Sequence, residues 1–211
     1  MALADVYPLA FLSDLLEPSN CMFSLRRFDE HSGSGDGRFW TAQMAPPLWE
    51  VSLTLRPRPR GKAAEINAKL WALEGTRRAF LFEDRSYGPA AGQAAGNGVT
   101  VSSIGTDRVS VALTGLPASY RVTAGDRMSI AFGSGRQFMA VFAETVTANS
   151  SGTTGQIAIS PALPFGVSAG AAVVMDRPRL KAIVPPGGYT PFTDYPGGIS
   201  QGASITLLQK P

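Results

Sequence analysis

At 211 residues and 22.2 kDa, the chain is long enough for one all-β domain or two small ones, and either can bury a core. An apolar fraction of 44% with 17% charged residues excludes intrinsic disorder, and no apolar run approaches the ~20 residues of a membrane-spanning helix. A net charge of +3 is too small to argue nucleic-acid binding by itself.

Cys21 is the sole cysteine, which excludes an intrachain disulfide and a multi-cysteine zinc site. It reads as a small buried hydrophobe or a partly exposed thiol. Only Lys62, Lys69, Lys181 and Lys210 are lysines among the 19 basic residues. The remainder are arginines, whose planar fork suits interface contacts better than a hydrated ammonium.

The opening MALADVYPLAFLSDLLEPSN is apolar but lacks a basic n-region. Asp5, Asp14 and Glu17 interrupt or flank its apolar part, so it reads as the start of a cytosolically made, unprocessed protein. A strand is expected over 22–28. DEHSGSGDGR (29–38) follows as a glycine-rich polar loop, expected to be mobile alone and to order against a neighbouring subunit. Trp49, Val51, Leu53 and Leu55 alternate with polar residues, the period of a strand with one buried face. In GKAAEINAKLWALEG, Ala63, Ile66, Leu70 and Leu73 share one helical stripe, which predicts a helix over 62–74 ended by Gly75. Phe80 and Phe82 mark a further strand over 79–83.

GPAAGQAAGNG (88–98) reads as a linker or exposed loop. Short alternating segments then follow at Val99/Val101, Val109/Val111/Leu113, Met128/Ile130/Phe132, Phe138/Ala140/Phe142 and Ile157/Ile159. With turn signals every ten residues or so they predict a small barrel or sandwich, including a hairpin at Gly133-Ser134-Gly135. The turn-rich PPGGYTPFTDYPGG precedes a terminal strand over 200–208. That strand needs a sheet, and the first region is the natural host. The expected fold is mainly β with one short α-helix. Residues 1–87 and 187–211 form one body, and 88–186 form an inserted small β barrel or sandwich.

No chemical constellation emerges. His31, the only histidine, sits in the flexible loop, a poor mount for a triad base. Asp29, His31 and Asp36 fit neither the EF-hand nor a zinc spacing, so no metal is expected. GSGDGR lacks a P-loop ending, no G-x-G-x-x-G opens a helix, and no cofactor is expected. A glycosidase's two acids come from remote positions that leave no local signature. Asp84 and Asp126 are the nearest candidates, and turn bonding explains Asp126 more simply.

The strongest polar feature is Arg56, Arg58, Arg60 and Lys62, spaced by Pro57 and Pro59, an extended segment that points alternate arginines one way. A solvated turn, a salt-bridging arm toward another subunit and a phosphate-contacting strip are the three readings. Without interleaved aromatic residues, the protein interface is preferred. Arg56, Arg58, Arg60, His31 and Asp36 are therefore the expected subunit-contact residues.

Three segments carry a family likeness: FWTAQMAPPLWEVSLTLRP with AAEINAKLWALEGTRRAFLFEDRSYGPAAG, TGLPASYRVTAGDRMSIAFGSGRQFMAVF, and GQIAISPALPFGVSAGAAVVMDRPRLKAIV. Together they resemble the distal tail proteins of long-tailed (siphovirus-type) bacteriophages. The resemblance implies a tail-tube-like body that assembles as a homo-hexameric ring, with the barrel projecting outward. It also implies contacts with tail tube protein above and with hub or fibre proteins below, and a lumen that DNA passes without specific binding. It implies a structural, non-enzymatic protein of the virion tail tip, assembled in the host cytoplasm, without membrane association. The glycine- and proline-rich loop after Ile183 departs from that pattern. A carbohydrate-binding or carbohydrate-active β protein is the alternative, because small barrels and sandwiches often carry sugar sites.

Overall fold

The computed structural model describes residues 5–33 and 35–210. Ser34, within the expected loop, lies outside the described residues. The chain is mainly β with one α-helix, Arg60–Ala72, and it divides into two compact units. One comprises 16–77 with 183–210, and the other 5–15 with 78–182.

The first unit is built on a long antiparallel hairpin, Pro18–Gly33 with Phe39–Leu55. Ser204–Gln209 adds a strand along its inner half, with Ile205 opposite Leu53 and Leu207 opposite Val51. The terminal strand thus joins the sheet of Trp49 to Leu55, as its period predicts. Trp49, Val51, Leu53, Leu55, Ile205 and Leu207 are all buried, one apolar side per strand. The helix buries Ala63, Ile66, Leu70 and Leu73, the stripe read from the sequence. Glu74 and Gly75 both have positive φ, 52° and 68°, so the left-handed exit begins one residue before the glycine.

PPGGYTPFTDYPGG is more ordered than a turn-rich loop. Thr193–Tyr195 and Ile199–Gln201 form a hairpin that extends through Arg58–Pro59 into a three-stranded sheet. The strand expected over 200–208 is therefore two pieces, separated at Gly202 (φ 83°) and the buried Ala203. The Ala203 carbonyl accepts the Leu55 N–H at 2.9 Å, which holds the break in place.

The second unit contains a six-stranded antiparallel barrel-like sheet. Its order is Val173–Val174, Arg127–Phe132, Arg136–Phe142, Ile157–Ser160, Ser110–Thr114, Thr100–Ile104. A bridge between Thr100 and Ala172, with the Val173 N–H on the Val99 carbonyl at 2.8 Å, nearly closes it. Met128, Ile130, Phe142, Val111, Leu113 and Ile157 fill the interior. Gly152 (φ 74°) is required where the chain passes Leu116, because a Cβ there would stand 2.0 Å from the Leu116 carbonyl oxygen.

One feature differs from the expectation. Residues 5–15 and 78–87 group with the barrel rather than with the first body. The cause is pairing: Val6–Tyr7 runs parallel to Ala79–Phe80, and Ala79–Glu83 pairs antiparallel with Arg179–Ile183. Residues 88–98 are, of the two readings, a mostly exposed loop and not a free linker. The Asp126 carboxylate accepts the Ala90 N–H at 2.8 Å, and the Tyr120 hydroxyl donates to the Gln93 carbonyl at 3.2 Å. Asp176 accepts the N–H groups of Ala95 at 2.6 Å and Gly96 at 3.2 Å, and Ala95 is buried. Side chain-to-backbone bonds staple this small-residue stretch to the barrel.

Candidate functional site

The ladder formed by Ser204–Gln209 stops at the pair Leu208–Glu50, and the Gln209 Oε1 takes the Trp49 N–H at 3.1 Å. Beyond that point the hairpin continues without a third strand as an arm spanning about 28–48. Asp29, Glu30, His31, Ser32 and Gly33 pair in register with Gln43, Ala42, Thr41, Trp40 and Phe39. The glycine-rich stretch is thus strand as far as Gly33, and only the tip between the strands turns. This corrects the loop expected over 29–38. The partner residues Phe39, Trp40 and Thr41 are strong strand formers, and they carry His31, Ser32 and Gly33 of the opposite strand into the ladder.

The arm has two different faces, because directly opposed residues share a side. Asp29, His31, Thr41 and Gln43 form a mostly polar face that ends at the Gly33–Phe39 pair, with the His31 Nδ1 3.1 Å from the Thr41 Oγ1. Glu30, Ser32, Trp40 and Ala42 form the other. Apolar side chains are conspicuously wet: Phe39 is 79% exposed, and Trp40 and Met44 are each 68% exposed. Register shifts at Arg26/Phe28 and Phe28/Asp29 bend and twist the hairpin as it leaves the sheet.

Among the described residues neither outer edge of the arm is paired. One edge belongs to Pro18–Gly33 and the other to Phe39–Leu55. Pro46 and Pro47 remove two donors from the second strand, one on each of its edges because successive N–H groups point opposite ways, and the remainder keeps its backbone hydrogen-bonding groups. A two-stranded ribbon with bare edges and wet aromatics is marginal by itself and open to strand addition.

The expected contact residues separate into two groups. His31 and Asp36 lie on the arm, where Asp36 accepts the Arg38 N–H at 3.2 Å and its carboxylate lies 3.5 Å from the Arg38 guanidinium. The arginine strip is largely engaged by its own chain. Arg58, with a side chain only 12% exposed, sits 3.3 Å from Glu17, and Arg60 pairs with Asp194 at 3.1 Å. Arg56 and Arg60 are both exposed. Within the single chain Arg58 and Arg60 thus have carboxylate partners of their own. Phe39, Trp40 and Met44 escaped the sequence reading. The signal available was an apolar run before Pro46-Pro47 with no period-2 partner strand to bury it.

The carboxylates weighed as catalytic are occupied structurally. Asp84 takes the Ser86 N–H and hydroxyl on one oxygen and Arg127 at 3.2 Å on the other. The second Asp126 oxygen takes the Thr123 N–H at 2.8 Å. Arg127 also stacks on Tyr87, whose hydroxyl accepts the Arg127 N–H at 2.7 Å, and burial pushes the Tyr87 hydroxyl above its usual range. Among the described residues no three His, Cys, Asp or Glu side chains converge as a metal site, and no helix is long and apolar enough to cross a membrane. No protein-family profile matches the sequence, and no curated protein matches it.

Proposed function

We propose that this chain is a structural subunit of a ring at the distal end of a long bacteriophage tail, built by edge-to-edge pairing of the arm. One observation carries the reading: the arm over 28–48 offers two unpaired edges that belong to different strands. Joining the Pro18–Gly33 edge of one copy to the free 39–48 edge of the next is a heterologous contact, which forms a ring where the rotation between copies closes and an open filament where it does not. Pairing satisfies the bare backbone groups, and Trp40 is left for contact with a neighbour on the face opposite Thr41 and Gln43. The face of Asp29, His31, Thr41 and Gln43, which ends at Phe39, then lines the lumen, which suits passage of DNA without base-specific contacts.

On this reading the protein has no catalytic role. Its partners are further copies of itself, the tail tube protein on one side and hub or fibre proteins on the other, and it resides at the virion tail tip. The likeness to distal tail proteins supports a hexamer, and the occupied state of Asp84 and Asp126 fits a structural part better than a hydrolase.

The test is mass in solution together with negative-stain images of the purified chain. Closed rings are expected, and replacing Phe39 with Ser and Trp40 with Glu should leave folded monomers. A chain that stays monomeric at high concentration and binds oligosaccharide would overturn the ring in favour of a carbohydrate-binding protein.

A further inference from the structure

We infer that Phe165 is an anchor by which the barrel of one copy docks into an apolar cleft on the barrel of a second copy. Phe165 is 93% exposed, on the loop between the strands Ile157–Ser160 and Val173–Val174. Exposure alone would mean little, but this loop is held from both sides. Leu163 and Val167 are buried, and the Arg108 guanidinium donates to three carbonyls: Leu163 at 2.9 Å, Pro164 at 2.6 Å and Val167 at 2.7 Å. The Leu163 N–H returns to the Arg108 carbonyl at 2.8 Å, and the Val167 N–H closes a turn on Pro164 at 3.1 Å.

Arg108 itself has φ 60°, a left-handed conformation that costs a non-glycine residue energy and persists only where surroundings enforce it. The strained arginine and the five bonds serve one visible end, a phenyl ring held away from the barrel on a stiff support. That is preorganisation, and it removes the ordering cost that a mobile side chain would bring to binding. The ring stands 5.3 Å from the Arg108 guanidinium carbon. Gly166, the next residue, lies against Phe132, onto which Arg136 stacks at 4.8 Å. Among the described residues no carboxylate lies within ion-pair distance of Arg136. The knob is aromatic and rimmed by positive charge, the composition of an interface hot spot.

The same barrel carries a cleft of about 240 Å³ between the Gly96-Asn97-Gly98 turn and residues 172–176, with the exposed Val174 over the core residues Val173 and Met175 and with Asp176 at its border. Backbone donors of Ala95 and Gly96 fix the Asp176 carboxylate, so its negative charge is held in place. The cleft has room for one aromatic ring, and its sign is opposite to that of the knob. A sugar would need convergent free polar groups in a concave site, whereas this ring is convex and Arg108 occupies the neighbouring carbonyls. A second copy fits better. The contact uses none of the arm and stands apart from the proposed ring pairing.

The test mixes two full-length proteins, Ser168→Cys, an exposed position on the same loop that leaves Phe165 intact, and Val174→Cys, each carrying Cys21→Ser, under mild oxidation and resolves them by non-reducing electrophoresis. Docking raises the local thiol concentration, so on the order of tenfold more mixed disulfide is expected in the mixture than like-with-like disulfide in either protein alone. Excess cysteine-free Cys21→Ser protein should suppress the product. The same competitor carrying Phe165→Ala and Val174→Glu should not, because truncating the anchor weakens association roughly 30-fold or more. A mixed yield no higher than that of either protein alone, or equal suppression by both competitors, overturns the inference and leaves Phe165 to a partner of another kind. Rings without the mixed disulfide would sink this contact alone, and the mixed disulfide without rings would sink the arm pairing alone.

Discussion

Leu70 and Tyr120 show what single side chains contribute here. Leu70 lies on the buried stripe of the helix, so Leu70→Ala removes apolar contact and leaves a residual cavity. A loss of ~2–5 kcal/mol in urea unfolding is expected, and a loss below about 0.5 kcal/mol would mark the site as effectively exposed. Tyr120 is buried, and loss of water around its hydroxyl, with the Asp126 and Asp176 charges adding, pushes its pKa from 10.0 up to about 12. The neutral phenol is thus the form the fold favours. Its contribution to stability is complete below pH 10 and is lost as pH climbs through about 12. Tyr87 and Tyr189 are also raised by burial, so absorbance at 295 nm should show several tyrosines ionising late, and Tyr120→Phe should remove the step that coincides with loss of near-ultraviolet ellipticity; a Tyr120 that ionises freely near 10 would contradict it. The helix stripe was legible because burial and period coincide. The roles of Tyr120, Asp126 and Asp176 were not, since a bond from a side chain to a remote backbone N–H or carbonyl leaves no pattern along the chain.

At the scale of elements, alternation located the barrel strands well: Val111/Leu113, Met128/Ile130/Phe132 and Phe138/Ala140/Phe142 all lie in strands with buried apolar faces. It failed on the arm, because strands exposed on both faces have no apolar period to read. Glycine content then suggests a loop, while register with Phe39, Trp40 and Thr41 makes a ribbon. Such a ribbon is marginal without neighbours. Amides of 28–33 and 39–48 should therefore exchange within seconds to minutes in a dilute monomer and become protected by orders of magnitude on assembly. Equal protection in both states would show that the arm needs no neighbour.

For the whole molecule, the division into units was legible only in outline. The change from helix-bearing sheet to a procession of short strands was visible near residue 88, yet the contacts divide the chain at 15/16, 77/78 and 182/183. Val6–Tyr7 pairs with Ala79–Phe80 in parallel, a match between segments far apart that no local signal announces. This interleaving has a consequence for the order of events on the ribosome. Glu50–Thr54 pairs with Ser204–Leu208, which is synthesised about 150 residues later, about 8–30 s at elongation rates of about 5–20 residues per second. Throughout that interval the inner half of the long hairpin lacks the strand that anchors it, while nascent chains on one message lie close together. The ladder that backs the hairpin's inner half is therefore complete only after residue 208 has been added. Until then the bare strand edges of adjacent nascent chains are open to one another, the condition in which unpaired edges mispair.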